Sequence, residues 1–298
     1  MRPGTDPSLP TTLVFILVLA LSVLALRFIA RHLAPLLLRA VREIYNRIFG
    51  LSRGRFGIRL RESMARRAPR VTSLLERRLS AERFTGLPLT LLIAVALYAA
   101  FLVIELTLEL VFEPAELARA DELIEARLQL FRTPVLVAAF AWITNLGNTA
   151  TLMAMATLAS AFALSGGRAA NVLPLWVTVI GVEVFTWAGK HALDRQRPEF
   201  LTDVIAHSPS FPSGHASGSL AIYGFIAYML VRQIGSPARR FEVAFWIAVV
   251  IGLIGFSRIF LHVHHASDVA AGYLVGGFWL VIGIAVAELR RSRTDSDR

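Results

Sequence analysis

Cysteine is absent from this 298-residue chain, which excludes disulfides and thiolate metal sites. Lysine is nearly absent: Lys190 is the single one among 31 basic residues, the rest being Arg. Acidic residues number only 21, leaving a net charge of +10. From residue 133 to 167 there is no charge of either sign. No basic, aromatic-bearing soluble module is visible, so the positive balance does not read as nucleic-acid binding. It reads as Arg beside membrane spans, where it sets orientation and meets anionic headgroups.

What the chain has in excess is apolar residues, 55% of the total, with a mean hydropathy of +0.60. Uncharged runs of about twenty residues recur, long enough to cross a bilayer. The expected fold is all-α, a polytopic transmembrane helical bundle with a six-span core and one N-terminal span. The first span is placed at 11–30. A cleaved signal peptide is the competing reading, disfavoured because the run is long and its basic flank thin. Residues 31–86 carry 14 Arg. Leu37, Val41, Ile44 and Ile48 recur there at helical spacing, as on an interfacial helix; a solvated basic connector is the plainer alternative.

Further spans are placed at 84–112, 149–165, 171–192, 216–234, 241–261 and 267–287. An acidic loop is expected between the second span and residue 133. Asn145-Leu-Gly-Asn148 interrupts the uncharged stretch and leaves too few apolar residues before it to cross. An interfacial or partly inserted helix to residue 144 is therefore expected. The division is 1–83 as N-terminal span with a basic cytoplasmic or interfacial segment, 84–290 as the six-span core, and 291–298 as a basic cytoplasmic tail. With the arginine-rich segment inside, counting crossings puts three polar stretches on the outer face of a cell inner membrane.

Those stretches are KHALDRQRP (residues 190–198), PSGH (212–215) and SRIFLHVHHASD (257–268). Lys190, Arg197 and Arg258 supply three cations for a phosphoryl group. Pro212-Ser213-Gly214-His215 reads as a turn into a helix whose first amides can bind an anion. Ser213 offers a hydroxyl and Gly214 close backbone approach. His215 is suited to protonate a leaving oxygen. His264 and Asp268 are four apart, on one face of a helix beginning there; the carboxylate on one ring nitrogen leaves the other free to attack phosphorus. His262, His264 and His265 also resemble a metal cluster, but such near neighbours do not share a helical face. No metal is assigned. Glu183, within a span and about 10 Å from Lys190 along the helix, is left out of the site.

The three stretches resemble the signature of the type-2 phosphatidic acid phosphatase superfamily, which includes membrane lipid phosphatases and vanadium-dependent haloperoxidases. Six residues separate Lys190 from Arg197-Pro198, five separate Arg258 from His264, and three separate His264 from Asp268. Ile143 to Gly147 is also similar to bacterial members. The resemblance implies that Lys190, Arg197, Ser213, Gly214 and Arg258 hold phosphate. It also implies His264 as nucleophile, His215 as general acid and Asp268 as orienter, without metal or cofactor.

The expected function is hydrolysis of a lipid phosphomonoester or pyrophosphate through a phosphohistidine. Polyprenyl pyrophosphate, phosphatidate and phosphatidylglycerol phosphate are the candidate substrates, and membrane lipids the expected surroundings. The alternatives are a lipid phosphotransferase using the same intermediate and a non-catalytic anionic-lipid binder or transporter. The loop 199–211 is too short for a large soluble cap.

Overall fold

A computed structural model describes residues 8–53, 66, 86–198 and 208–296. Among these every regular element is a helix: α1 (Ser8–Arg53), α2 (Leu87–Phe112), α3 (Pro114–Gln129), α4 (Pro134–Thr144), α5 (Thr149–Ser165), α6 (Val172–Leu193), α7 (Gly214–Val231), α8 (Pro237–Phe260) and α9 (Ala266–Ser296), with short 3-10 turns at Asn145–Gly147 and Ala169–Asn171. Six helices are long and apolar enough to cross a membrane. The pair Pro134–Gly147 and Thr149–Ser165 passes the same test only when taken together, bent by 48° at the break between its members, as in a broken span or a re-entrant loop. The protein is a multi-pass membrane protein.

Two expectations change. The acidic stretch after α2 is a helix, not a loop: Pro114 sits at its first position and Glu116 in its first turn, both favourable to a start. Along α3 only Asp121 is buried. The first helix does not end near residue 30 but continues through Pro35 to Arg53. The remaining segment to residue 85, apart from residue 66, and the loop residues 199–207 lie outside the described residues.

The described chain divides into two compact units, one of residues 1–17 with 92–298 and one of 18–91. In the first unit α7 packs chiefly against α9, α8 and α6. In a bilayer, helices gain little from apolar burial against one another, and close approach of backbones matters more. Gly272 and Gly276 serve that here: a Cβ at either would run into the α7 backbone, at the Ser213 and Ser217 carbonyls. Below this contact Leu152, Leu175, Val179, Ile222 and Phe225 form a buried apolar cluster. The N-terminal end of α1 joins the same unit. Thr12 and Thr133 share a hydroxyl hydrogen bond of 2.7 Å, and the Phe15 ring lies within 5.6 Å of those of Phe131 and Phe260.

Candidate active site

The polar ends of four helices meet at one end of this bundle. Lys190 lies in the last turn of α6, Ser213 immediately precedes α7, Arg258 lies in the last turn of α8, and Asp268 lies in the first turn of α9. The helix ends are built by their own sequence. α6 stops at Asp194, which turns left-handed at φ 43° and donates its N–H to Lys190 O. Ser210 then returns to the same segment, its N–H bonding Arg195 O at 2.8 Å and its hydroxyl Gln196 O at 3.0 Å. That return delivers Pro212 against Gly189, where a Cβ would lie 2.8 Å from the proline ring. α8 ends in a Schellman-type turn, with His262 N–H on Ile259 O and Val263 N–H on Arg258 O. His262 takes the left-handed position at φ 56°.

The α3–α4 segment locks two of these ends. Arg132 Nε donates to Phe260 O at 2.6 Å and Nη2 to Ile259 O at 3.2 Å, a cation on the exposed carbonyls of α8. Arg132 is itself paired with Glu125, and His262 Nδ1 lies 2.5 Å from the same carboxylate. His262 is thus a structural partner at a helix end. At the start of α9, Asp121 accepts from Ser267 N–H at 2.9 Å and Ser267 hydroxyl at 2.6 Å. Asp268, three residues into the helix, accepts from the His265 amide at 2.9 Å, half of a capping box.

Around His264 the hydrogen bonds define a tautomer. Its helix begins at Ala266, so His264 precedes α9 instead of lying on it, and its ring folds back over the first turn. Nδ1 faces Asp268 Oδ2 at 3.3 Å, which requires a hydrogen on Nδ1. Nε2 faces Arg197 Nη1 at 3.1 Å; a guanidinium only donates, so Nε2 carries a lone pair. Burial pushes the imidazole down to about 3, against the hydrogen bond and charge of Asp268, which pull it up. The ring is therefore neutral at ordinary pH, with its free nitrogen toward a cation.

Asp268 is fully buried and divides its oxygens. Oδ2 serves His264, while Oδ1 accepts from Arg195 Nη1 at 2.6 Å. Arg195 Nη2 in turn reaches Asp121 Oδ2 at 2.9 Å. A continuous chain of Asp121, Arg195, Asp268 and His264 results, in which the Arg195 guanidinium pairs with both carboxylates and the neutral imidazole ends the chain. Such pairing is what a buried charge requires.

Lys190 and Arg197 meet at Ser208. Arg197 donates from Nε to Ser208 O at 2.7 Å, from Nη1 to Val263 O at 2.7 Å and from Nη2 to Ser208 Oγ at 3.2 Å. Lys190 Nζ donates to the same hydroxyl at 3.3 Å and also bonds Pro209 O. Arg258 is buried and held by Thr144 Oγ1 at 2.7 Å, yet its Nε has no partner. Ser213 Oγ is likewise buried and without a partner, and it does not cap α7. Two orphaned buried donors are costly unless a ligand satisfies them. A Cβ at Gly214 would make only ordinary contact, 3.6 Å from Thr186, so the protein itself does not demand glycine there.

His215 opens α7 with Nε2 at 2.7 Å from Asn148 Oδ1. Among the described residues no three His, Asp or Glu are arranged to hold a metal. Glu183 sits two helical turns before Lys190 and makes no hydrogen bond to any of these residues.

Four contributors escape a reading of the motifs alone: Arg195, Asp121, Thr144 and Asn148. Arg195 lies inside KHALDRQRP as a third cation without an evident partner, and Asp121 is one acid among several. Thr144 precedes the polar interruption Asn145–Asn148 and Asn148 ends it; the sequence signals there were the break and, for Thr144, the likeness of Ile143 to Gly147 to bacterial members.

A family model described as the PAP2 superfamily matches residues 171–292, which hold every residue of the three motifs. Phosphatidylglycerophosphatase B of Bacillus subtilis (strain 168) is 33% identical over 168 residues, covering 55% of this chain and 82% of that protein. The chain belongs to the PAP2 superfamily. Two Arabidopsis thaliana proteins, probable lipid phosphate phosphatase 4 and lipid phosphate phosphatase 2, are 32% and 31% identical over 136 and 134 residues. These matches cover 36% and 35% of this chain and 44% and 46% of theirs. The crystal structure of a transmembrane PAP2 type phosphatidylglycerolphosphate phosphatase from Bacillus subtilis shares the fold of this PAP2 chain, with a TM-score of 0.59 at 24% identity over 68% of it and 97% of the solved chain.

Proposed function

We propose that this PAP2 protein hydrolyses a lipid phosphomonoester or pyrophosphate through a phosphohistidine on His264, at the outer face of a cell inner membrane. The coarser activity, a membrane lipid phosphate phosphatase of the PAP2 type, follows from its family and relatives. The observation that carries the finer reading is the fixed tautomer of His264. Asp268 holds Nδ1–H while Nε2 keeps its lone pair beside Arg197.

Lys190, Arg197 and Arg258, the Ser213 hydroxyl and the Gly214 amide hold the phosphoryl oxygens. His264 Nε2 attacks phosphorus as the bond to the lipid oxygen breaks, and His215 supplies the proton that oxygen needs. Water then attacks the phosphohistidine, His215 takes back a proton, and inorganic phosphate leaves. Residues 84–290 form the catalytic core in this reading, and 1–83 and 291–298 are accessory. The arginine-rich side faces the cytoplasm.

The test is phosphate release from a detergent-solubilised panel of phosphatidylglycerol phosphate, phosphatidate and polyprenyl pyrophosphate, with and without chelator and vanadate. Turnover of at least one lipid that persists in chelator and falls with vanadate is expected, because vanadate adopts the five-coordinate geometry of in-line transfer. Binding without turnover would instead indicate an anionic-lipid binder.

A further inference from the structure

The break between α4 and α5 carries a chain of side-chain amides that ends on His215. Asn145 Nδ2 donates to Ala141 O at 3.1 Å, Asn148 Nδ2 donates to Asn145 Oδ1 at 2.9 Å, and His215 Nε2 faces Asn148 Oδ1 at 2.7 Å. A backbone carbonyl only accepts, so the end of Asn145 that meets Ala141 is its NH2 and the other end is oxygen. That oxygen needs a donor, which sets Asn148 with its NH2 toward Asn145. The remaining Asn148 oxygen then needs a donor from the ring. The chain has one direction, and it puts a hydrogen on His215 Nε2.

The turn that bears the chain is tied down on each side. Thr151 hydroxyl donates to Asn145 O at 2.8 Å, and Tyr223 hydroxyl of α7 donates to Leu146 O at 2.6 Å. Gly147 lies against the imidazole: a Cβ there would sit 3.0 Å from ring atom Cδ2 and 3.2 Å from the His215 Cβ. The turn therefore fits the ring closely as well as bonding it. The other ring nitrogen, Nδ1, has no hydrogen-bond partner among the described residues. Thr144, at the start of the same turn, holds Arg258.

We propose that Asn148 is a positioning residue for the general acid, holding His215 Nε2–H so that the proton delivered to the leaving oxygen is the one on Nδ1. The inference rests on His215 being that acid. In the first step the bond from phosphorus to the lipid oxygen breaks as the bond to His264 Nε2 forms. The Nδ1 proton moves to the departing oxygen, and the neutral ring keeps Nε2–H on Asn148. In the second step the attacking water gives a proton to Nδ1 as its oxygen bonds phosphorus and His264 departs. An amide oxygen supports the imidazolium through a charge-assisted hydrogen bond without adding a negative charge beside the phosphoryl group.

The test is a double-mutant cycle of Asn148→Ala and His215→Ala in the full-length solubilised protein. Each variant is assayed on an alkyl lipid phosphate and on an aryl phosphate whose leaving group needs no acid. Asn148→Ala should lower kcat on the alkyl ester about 10- to 100-fold, the range for a lost orienting partner of a functional histidine, with KM little changed. The loss should shrink on the aryl ester and vanish in the His215→Ala background. Asn148→Asp, which keeps an acceptor for Nε2–H but adds a charge and loses the donor to Asn145, should restore part of the rate. Equal losses on both esters and in both backgrounds, or no loss at all, would overturn the proposal while leaving the acid assignment standing. If His215→Ala itself fails to distinguish the two esters, the acid assignment falls and the role of Asn148 falls with it.

Discussion

His264 stands at the end of a chain of charges, and His215 at the end of a chain of amides. On the first side Asp121, Arg195 and Asp268 alternate in sign and are nearly sealed from solvent, with exposures of 6% for Asp121 and 0% for Asp268. On the second side Asn145 and Asn148 carry no charge and run from a backbone carbonyl to the ring. The same side chain is thereby given two tautomers. A carboxylate holds Nδ1–H of His264 and leaves Nε2 electron-rich, as a nucleophile requires. A carboxamide holds Nε2–H of His215 and leaves Nδ1 open to exchange a proton. In the proposed mechanism the roles are assigned by the atoms behind each ring, which come from α9, Arg195 and α3 on one side and from the break after α4 on the other.

Breaking each side separately should give unequal losses. His264→Ala removes the proposed attacking atom, so turnover should fall to background on every substrate. His215→Ala should cost about 100- to 10,000-fold on a lipid alkyl phosphate, the range for a lost general acid, and much less on an aryl phosphate. Rates on the two esters for both variants check this. Equal sensitivity to the leaving group in the two would erase the distinction between the histidines.

A smaller effect should sharpen the charged side. Asp121→Asn keeps the shape and removes the charge that balances Arg195, whose guanidinium then acts on Asp268 alone. We expect a loss of about 1–3 kcal/mol in stability, the cost of an imperfectly satisfied buried group, seen as a lower melting temperature in detergent. Turnover should also fall, although Asp121 reaches His264 only through Arg195 and Asp268. A variant as stable and active as the parent would show that the chain ends at Arg195.

The two sides also differed in how far they could be read from sequence. Lys190, Arg197, Ser213, Arg258 and His264 are charged or polar residues at the ends of apolar runs, so composition and spacing point to them. Six of the expected spans were legible for the same reason, since apolar length alone decides them, whereas 149–165 qualifies only together with the helix before it. Asp121 was not legible as a partner: it lies 146 residues from Ser267, among Glu116, Glu122 and Glu125, and only the folded packing of α3 buries it. That α3 is a helix at all was masked by its acidity, which suits a loop as well as the first turns of a surface helix. Asn148 sits in an uncharged stretch where its one visible property was that it interrupts. The His264–Asp268 spacing was apparent, but the helix starts two residues after His264, so their contact comes from a folded-back ring and not from a shared helical face.

The last effect concerns pH. His264 is held near 3 in the folded protein, against about 6.5 for an unperturbed imidazole. Between those values the unfolded chain binds the extra proton, so stability is full above about pH 6.5 and declines as pH falls toward 3. Thermal unfolding across that window should show the decline, and His264→Gln should flatten part of it. A slope identical in the two proteins would mean that the ring is not held neutral by burial.

The most direct test is capture of the covalent intermediate. Rapid quenching with base after mixing with a radiolabelled phosphate ester, followed by peptide mapping, should place acid-labile, base-stable label on His264. The label should persist in His215→Ala given an aryl ester, and be absent from His264→Ala. Label on another residue, or turnover by His264→Ala at a rate near the parent's, would contradict the account.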